Sequence, residues 1–179
     1  MLSRDNTGLI IVDVQGKLAR LVENSSLFIA NCEKLILGVK ALDMPIVLLE
    51  QNPEKLGLTV EEVGRHLTHT AAITKSTFNA CHSPTFLEAV KAASVDSWLV
   101  CGIEAHICVY QTARGLTELG YHVELVSDCI SSRSATDVRL AIERSMRCGV
   151  EVTGLEMCLY ELVKDCQDPA FKPILSLVR

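Results

Sequence analysis

Residues 97–129 read SWLVCGIEAHICVYQTARGLTELGYHVELVSDC, and their pattern is the clearest indication of the fold class. It contains two short apolar runs, SWLVCG and YHVELVS, on either side of a segment of helical length. Within that segment Val109, Ala113 and Leu116 recur at i, i+4 and i+7, the spacing of one helix face, and Gly120 is placed to end the helix. An apolar strand, a crossover helix and a second apolar strand predict a parallel β-α-β unit.

The same alternation of apolar runs and helical stretches continues in both directions. Further strands are predicted at GLIIVDV from Gly8, PIVLLEQ from Pro45, AAITK from Ala71 and GVEVT from Gly149. Further helices are predicted at Ser25–Leu42, Pro84–Ala93, Thr136–Cys148 and Leu155–Lys164. Segment 52–69 is expected to be a loop with a helical turn near Val60–Arg65, and the residues from Asp168 form a tail of uncertain structure. The pattern predicts one α/β domain over residues 1–179, a three-layer Rossmann-like fold. Its six-stranded parallel sheet has the order 3-2-1-4-5-6, with helices on both faces.

Composition narrows the classes of partner. Hydrophobic residues make up 49% of the chain and the mean hydropathy is +0.27, which is high for a chain of 179 residues. Because large apolar surfaces usually mark interfaces, we expect a homo-oligomer. The 17 basic and 22 acidic side chains give a net charge of −5, and no basic run is present. Nucleic acid is therefore not an expected partner, since phosphate binding requires clustered Lys and Arg.

The cysteines indicate a compartment. There are eight, none in a C-x-x-C motif, and most lie inside apolar segments. A chain with this much core does not depend on disulfides, so we expect free, mostly structural thiols and a cytoplasmic location. The apolar run Gly8–Val14 is too short to span a membrane and is interrupted by Asp13, and no signal-peptide pattern is present.

Three polar residues fall where a parallel sheet places its ligands. Such sheets bind ligands beyond the carboxyl ends of the strands, near the point where the strand order reverses. Asp13 ends the first predicted strand, Lys75 ends the third, and Cys108 follows the fourth. In the order 3-2-1-4-5-6, Asp13 and Cys108 face each other, and a lysine is long enough to reach across roughly 10 Å from the third strand.

These residue types are sufficient for acyl transfer. A free thiol with a pKa near 8.5 is only about 3% ionised at pH 7, and a nearby ammonium or helix start favours the thiolate. We therefore expect Lys75 to lower the pKa of Cys108 and to make it the most reactive thiol. The carboxylate of Asp13 can take the thiol proton and return it to a leaving amine.

Several motifs together resemble the isochorismatase-like cysteine hydrolase superfamily. They are LIIVDVQ (9–15), ITKSTFNAC (73–81) and residues 100–133, while EQNPEKLGLTV (50–60) is similar to its compact single-domain members. The resemblance covers about residues 5–160. It implies a catalytic triad of Asp13, Lys75 and Cys108, in which the cysteine attacks an amide-type carbonyl and water hydrolyses the resulting acyl-enzyme.

The resemblance also implies details of the site. A cis peptide bond is expected between Ile103 and Glu104, with the backbone N–H groups of Glu104 and Cys108 forming the oxyanion hole. Gln15 and Phe78, beside the triad residues in sequence, are candidate substrate-binding residues. Nicotinamidases of the superfamily carry an Asp-x-His metal motif after the second strand, whereas this chain has LLEQNPEKLG there. We therefore expect no catalytic metal, no cofactor and a substrate other than nicotinamide. Isochorismate cleavage is not expected either, because true isochorismatases lack the nucleophilic cysteine.

Other interpretations stay open at this stage. His106 could pair with Cys108, although residues at i and i+2 do not share a helix face. His66 and His69 have a metal-compatible spacing, with Cys81 and His82 further along, but they do not complete a four-ligand pattern. Residues 131–133 could line the pocket, or the segment could instead serve to cap the next helix through Ser134 or Thr136. At the level of function, the alternatives are a non-catalytic oligomeric scaffold and a thiol redox protein that uses Cys108.

Overall fold

Six parallel strands form the centre of the protein, in the order β3-β2-β1-β4-β5-β6. The computed structural model describes all 179 residues. The strands are β1 (Thr7–Val12), β2 (Ile46–Gln51), β3 (Ala72–Lys75), β4 (Ser97–Gly102), β5 (His122–Ile130) and β6 (Glu151–Thr153). The predicted sheet and its order are confirmed, and the order reverses between β1 and β4.

Nine α-helices and three turns of other helical types surround the sheet. The helices are α1 (Leu18–Leu21), α2 (Ser25–Ala41), α3 (Pro53–Leu56), α4 (Glu61–Gly64), α5 (Pro84–Ala92), α6 (Tyr110–Glu118), α7 (Ala135–Arg147), α8 (Leu155–Val163) and α9 (Phe171–Val178). Two 3-10 turns span Arg4–Asn6 and Ala80–His82, and a π-helical turn spans Ala105–Val109. No helix combines the length and the apolar composition that crossing a bilayer requires.

The apolar strands are explained by two cores, one on each face of the sheet. Leu9 and Ile11 of β1 join a core of 30 residues with α2, α8 and α9. Ile10 and Val12 of the same strand join a second core of 20 residues with α5, α6 and α7. Because successive side chains of a strand point to opposite faces, a strand covered on both sides is apolar throughout.

The structure adds elements that the sequence pattern did not predict. The tail contains α9, whose Ile174 is fully buried and whose Phe171 packs edge-on against Tyr160, with the ring centroids 6.0 Å apart. Pro173 interrupts the apolar pattern there, but it lies in the first helical turn, where no intrahelical donor is lost. Helices α1 and α3 have only four residues each, too few to show a helical period, whereas α4 matches the helical turn expected near Val60–Arg65.

The ends of β1 and β4 approach each other closely. Gly102 has φ +121°, and a Cβ atom there would lie 2.0 Å from the carbonyl oxygen of Val12. The same oxygen accepts a hydrogen bond from the N–H of Ile103 at 2.9 Å. This contact brings the residue after β1 next to the turn that follows β4.

Candidate active site

Asp13 and Lys75 form a buried ion pair at the carboxyl ends of β1 and β3. Lys75 Nζ lies 2.7 Å from Asp13 Oδ2, and the two side chains are 0% and 3% exposed. Lys75 Nζ also donates to Oε1 of Gln51 at 2.7 Å. The ammonium is thus held between β1 and β2, and its charge is matched by one carboxylate.

The backbone at Asp13 is unusual. Its φ is +52°, in the left-handed region that aspartate tolerates better than most residues and that clusters at functional sites. Its N–H donates to the carbonyl of Leu49 at 3.2 Å. The second carboxylate oxygen, Oδ1, is buried and has no hydrogen-bond partner. The Cys108 thiol lies close enough to influence the pKa of the Asp13 carboxyl.

Cys108 lies in the π-helical turn after β4 and is 7% exposed. Burial raises the pKa of its thiol to about 12; the charge of Asp13 raises it as well, and the charge of Lys75 opposes the rise. The expectation of a lowered thiol pKa is therefore wrong. Desolvation and the carboxylate outweigh the ammonium, whose charge Asp13 already compensates, so the resting group is a neutral thiol.

The pKa of Asp13 is shifted in the same direction. Burial raises it above its ordinary value of 3.8, while the charge and the hydrogen bond of Lys75 oppose that rise. A carboxylate in this environment accepts a proton more readily than an exposed one. The site therefore holds a weakly acidic thiol next to a base of raised pKa.

The turn before Cys108 is held in place by hydrogen bonds to the segment that follows β5. The peptide bond between Ile103 and Glu104 is cis, at the position that the resemblance indicates. The backbone N–H of Glu104 makes no hydrogen bond to a protein group. The Glu104 carboxylate accepts a hydrogen bond from Arg133 Nε at 2.8 Å, and the N–H of Ala105 donates to the carbonyl of Ser131, also at 2.8 Å. The loop after β5 thus supports the expected oxyanion site.

A cavity of about 170 Å³ opens onto the thiol and the carboxylate. It is lined by Asp13, Leu18, Gln51, Leu56, Phe78, Ile103, Glu104, Ile107 and Cys108. Of the two predicted substrate-binding residues, Phe78 lines this cavity and Gln15 does not. The position of Gln51 at the end of β2 could have identified it from the sequence, since the same sheet-edge rule applies.

Gln15 is fully buried and bonded to the backbone both just before and within segment 52–60. Its amide nitrogen donates to the carbonyls of Gln51 and Gly57, at 3.2 and 2.6 Å, and its oxygen accepts from the N–H of Gln51 at 2.6 Å. Two backbone bonds continue the contact, from Gly16 N to Leu58 O and from Val60 N to Val14 O. Gln15 therefore fastens segment 52–60, which carries Leu56, to the end of β1.

The histidines expected as alternatives have other partners. His106 Nδ1 lies 3.0 Å from the hydroxyl of Ser132, and His66 Nε2 lies 3.0 Å from Glu33 Oε1. The Cys81 thiol interacts with the carbonyl of Thr112. His122, Glu124 and Glu151 have ligand atoms within 4.8 Å of one another, but they lie on β5 and β6 and do not line the cavity at Cys108.

A larger cavity, of about 410 Å³, lies between α2 and α7. Its walls include Leu27, Phe28, Val138 and Ile142, and no thiol, lysine or histidine lines it. None of the predicted catalytic, oxyanion-hole or substrate-binding residues lines this larger cavity, so the smaller cavity at Cys108 is the candidate active site.

Known proteins are similar to this chain in sequence and in fold. The family model described as the isochorismatase domain matches residues 7–157. Isochorismatase domain-containing protein 2 of Danio rerio is 32% identical over 177 residues, which are 99% of this chain and 89% of that protein. The structure of the MAR1 ribonuclease from Caenorhabditis elegans superposes with a TM-score of 0.93 at 32% identity, covering 99% of this chain and 91% of that one. YcaC from Escherichia coli, an octameric hydrolase of unknown specificity, superposes with a TM-score of 0.93 at 22% identity over 98% and 89% of the two chains.

Proposed function

Because the chain belongs to the isochorismatase family, we propose that it is a hydrolase that cleaves a C–N bond of a small amide-type substrate through an acyl-thioester on Cys108. One observation carries this proposal. The buried Asp13–Lys75 ion pair has a free carboxylate oxygen, and Asp13 and Cys108 line the same small cavity. A nucleophile, a base and a substrate-sized space therefore meet at one point.

The first step transfers the acyl group to the enzyme. Cys108 Sγ attacks the substrate carbonyl carbon while its proton passes to Oδ1 of Asp13, and the carbonyl oxygen becomes an oxyanion that the N–H groups of Glu104 and Cys108 stabilise. As the oxyanion collapses, the C–N bond breaks and Asp13 returns the proton to the leaving nitrogen. The products are the free amine and an acyl-thioester, and Asp13 is again a carboxylate.

The second step releases the acyl group. A water molecule gives one proton to Asp13 as its oxygen attacks the thioester carbonyl, and the C–S bond breaks. The leaving sulfur takes that proton, which restores the thiol of Cys108 and liberates the carboxylic acid. Both steps use one acid/base group, which is why a single buried carboxylate is sufficient.

Lys75 keeps that carboxylate ionised in a buried site. An isolated buried carboxyl would stay protonated and could not accept the thiol proton. The ammonium stabilises the carboxylate before the proton transfer and the thiolate character of Cys108 during it. A neutral resting thiol agrees with this cycle, because the proton leaves only when a substrate is present to be attacked.

RNA cleavage is the competing activity, because the MAR1 ribonuclease is a relative of 32% identity. Phosphodiester cleavage would require cations for the charged phosphate. Near this cavity Lys75 is paired with Asp13, and Arg133 is paired with Glu104. These pairings favour an uncharged carbonyl substrate over a phosphate.

Acyl-enzyme trapping tests the proposal. The intact protein is incubated with a panel of small amides and quenched in acid, and its mass is measured. We expect a mass increase equal to the acyl group, located on Cys108. The Cys108→Ala variant should show none, and Cys81→Ala should behave like the wild type, since Cys81 has a similarly raised pKa of about 12 but lies outside the cavity. Cleavage of RNA by the Cys108-dependent site without any acyl adduct would overturn the proposal in favour of the ribonuclease activity.

We also propose that the protein forms a homo-oligomer and is located in the cytoplasm. Large apolar side chains are exposed on several helices, namely Leu21, Leu27, Leu119, Leu140, Met146 and Met157. Such surface favours a homo-oligomer, a state also described for YcaC. All eight cysteines are free thiols, which favours a reducing compartment such as the cytoplasm.

A further inference from the structure

The cavity at Cys108 is walled mainly by apolar side chains. These are Leu18, Leu56, Phe78, Ile103 and Ile107, which come from α1, α3 and the segments that follow β3 and β4. Two of them reach the protein surface, Phe78 at 55% and Leu56 at 36% exposure. Apolar surface at the mouth of a reaction cavity is covered when an apolar group enters it, and this burial favours binding.

No free positive charge faces the cavity. The charged residues that line it, Asp13 and Glu104, are both acidic. Lys75 is not among the lining residues, and its Nζ is already bonded to Asp13 Oδ2 and Gln51 Oε1. Arg133 is bonded to Glu104. A carboxylate on the substrate would therefore lose its hydration and gain no partner.

A cationic substrate is disfavoured for a related reason. The Asp13 and Glu104 carboxylates each have a cation already, Lys75 and Arg133 respectively. Asp13 Oδ1 must also stay free to accept the thiol proton. An ammonium group in the cavity would compete for that oxygen. It would also lose its hydration against apolar side chains that cannot bind it.

The volume of the cavity also limits the size of the substrate group that can enter it. Its volume of about 170 Å³ is smaller than the roughly 300–1,000 Å³ of pockets that hold drug-sized ligands. We infer that the acyl half of the substrate is a small, uncharged, apolar group, such as a short aliphatic chain. This inference rests on the proposed function and deepens it, because it names the substrate class that the acyl-thioester on Cys108 would carry.

The test uses pairs of primary amides that match in shape and differ in charge. 4-Methylpentanamide is compared with succinamate, in which a carboxylate replaces the isopropyl group. Pentanamide is compared with 4-aminobutanamide, in which an ammonium replaces the terminal methyl group. We expect kcat/KM for ammonia release, and the rate of acyl-thioester formation, to be at least about 100-fold higher for the uncharged member of each pair.

A variant that introduces a positive charge tests whether the missing cation causes the selectivity for uncharged amides. Phe78→Lys places a cation at the cavity mouth, on a side chain exposed enough to tolerate it. It should raise the ratio of succinamate to 4-methylpentanamide turnover by at least about tenfold. Leu119→Lys is the matched control, because Leu119 is also 55% exposed and lies outside the cavity. It should leave the ratio unchanged, and thermal melts check that both variants are folded.

The outcomes separate the two proposals. Acylation of Cys108 at equal rates by charged and uncharged amides would overturn the inference and leave the proposed function standing. An unchanged ratio in folded Phe78→Lys would overturn the claim that the missing cation sets the selectivity. If no amide of either kind acylates Cys108, the proposed function fails, and the inference fails with it.

Discussion

The ammonium of Lys75 touches only one of the two oxygens of Asp13. The contact is 2.7 Å to Oδ2, whereas Oδ1 is buried without a hydrogen-bond partner, and Asp13 lines the cavity at Cys108. In the proposed mechanism, Oδ2 pairs with the ammonium and Oδ1 accepts the thiol proton. The predictions below test that division.

Asp13→Asn keeps the shape of the side chain and removes the base. Turnover of the best amide from the panel should fall by about 10²–10⁴, the usual contribution of general acid–base catalysis. Steady-state kcat/KM measures the change, with thermal melts as a folding control. Near-normal turnover in a folded Asp13→Asn protein would assign Asp13 a purely structural role and favour the scaffold or redox interpretation.

Lys75→Met removes the charge and keeps the aliphatic stem. Lys75 opposes the rise in pKa of both Asp13 and Cys108, so both pKa values should increase further and turnover should drop. The buried Asp13 then lacks its partner, which costs about 3–5 kcal/mol of stability while it is ionised. Since protonation removes that cost, the stability of the variant should recover as the pH falls through the raised pKa of Asp13. Thermal melts across pH measure this, and Lys40→Met is the control, because Lys40 is exposed and bonded to the carbonyl of His66.

The two substitutions should also be non-additive. Asp13, Lys75 and Cys108 are proposed to act as a unit, so the double variant Asp13→Asn/Lys75→Met should be far less impaired than the product of the single losses. A double-mutant cycle on kcat/KM gives the coupling. Simple multiplication of the two effects would mean that Lys75 acts independently of Asp13.

The pH profile should report the raised pKa of Asp13. A base must be ionised to act, so kcat/KM should fall on the acid side as Asp13 becomes protonated. Because burial raises this pKa above 3.8, the fall should set in at a higher pH than for an ordinary aspartate. In Lys75→Met this fall in kcat/KM should set in at a still higher pH, because Lys75 no longer opposes the rise in the pKa of Asp13. A midpoint of the fall at or below pH 3.8 in the wild type would contradict the assignment.

Thiol reactivity should not follow the sequence-based expectation. Because burial and the charge of Asp13 raise the pKa of Cys108 far above 7, very little of this thiol is ionised at neutral pH. Iodoacetamide should therefore alkylate the exposed Cys166 before Cys108, whereas small amides should acylate Cys108 selectively. Peptide-level mass spectrometry separates the two sites. Fast alkylation of Cys108 at neutral pH would mean that the resting thiol is ionised after all.

The oligomeric state is directly measurable. Sedimentation at micromolar concentration should give a mass of at least twice the 19.6 kDa of the chain, because exposed apolar side chains favour self-association. A monomer at that concentration would show that this surface is not used between copies of the chain.

The sequence predicted the sheet, its order and the residues at its edge because apolar runs and strand ends obey strong rules. It could not predict the walls of the cavity to the same degree. Leu18 and Leu56 lie on four-residue helices without a period, and Ile107 lies in a π-helical turn. The protonation state of Cys108 could not be predicted from the sequence either, because its pKa depends on the balance between burial and the opposite charges of Asp13 and Lys75 in the folded protein. The residues at strand ends can thus be predicted from the local sequence pattern. The pKa values of buried groups and the shape of the cavity depend on contacts between distant parts of the chain.

The attachment of segment 52–60 by Gln15 has a consequence for protein engineering. The chemical groups sit on strand ends and on the turn after β4, whereas Leu56 belongs to a separate piece of chain fastened by the amide of Gln15 and by the backbone of its neighbours. Gly16 allows that piece to approach, since a Cβ there would lie 2.1 Å from the carbonyl oxygen of Leu56. We therefore expect that exchanging segment 52–60 between relatives, with its anchors retained, would change the cavity wall at Leu56 and leave Asp13, Lys75 and Cys108 in place.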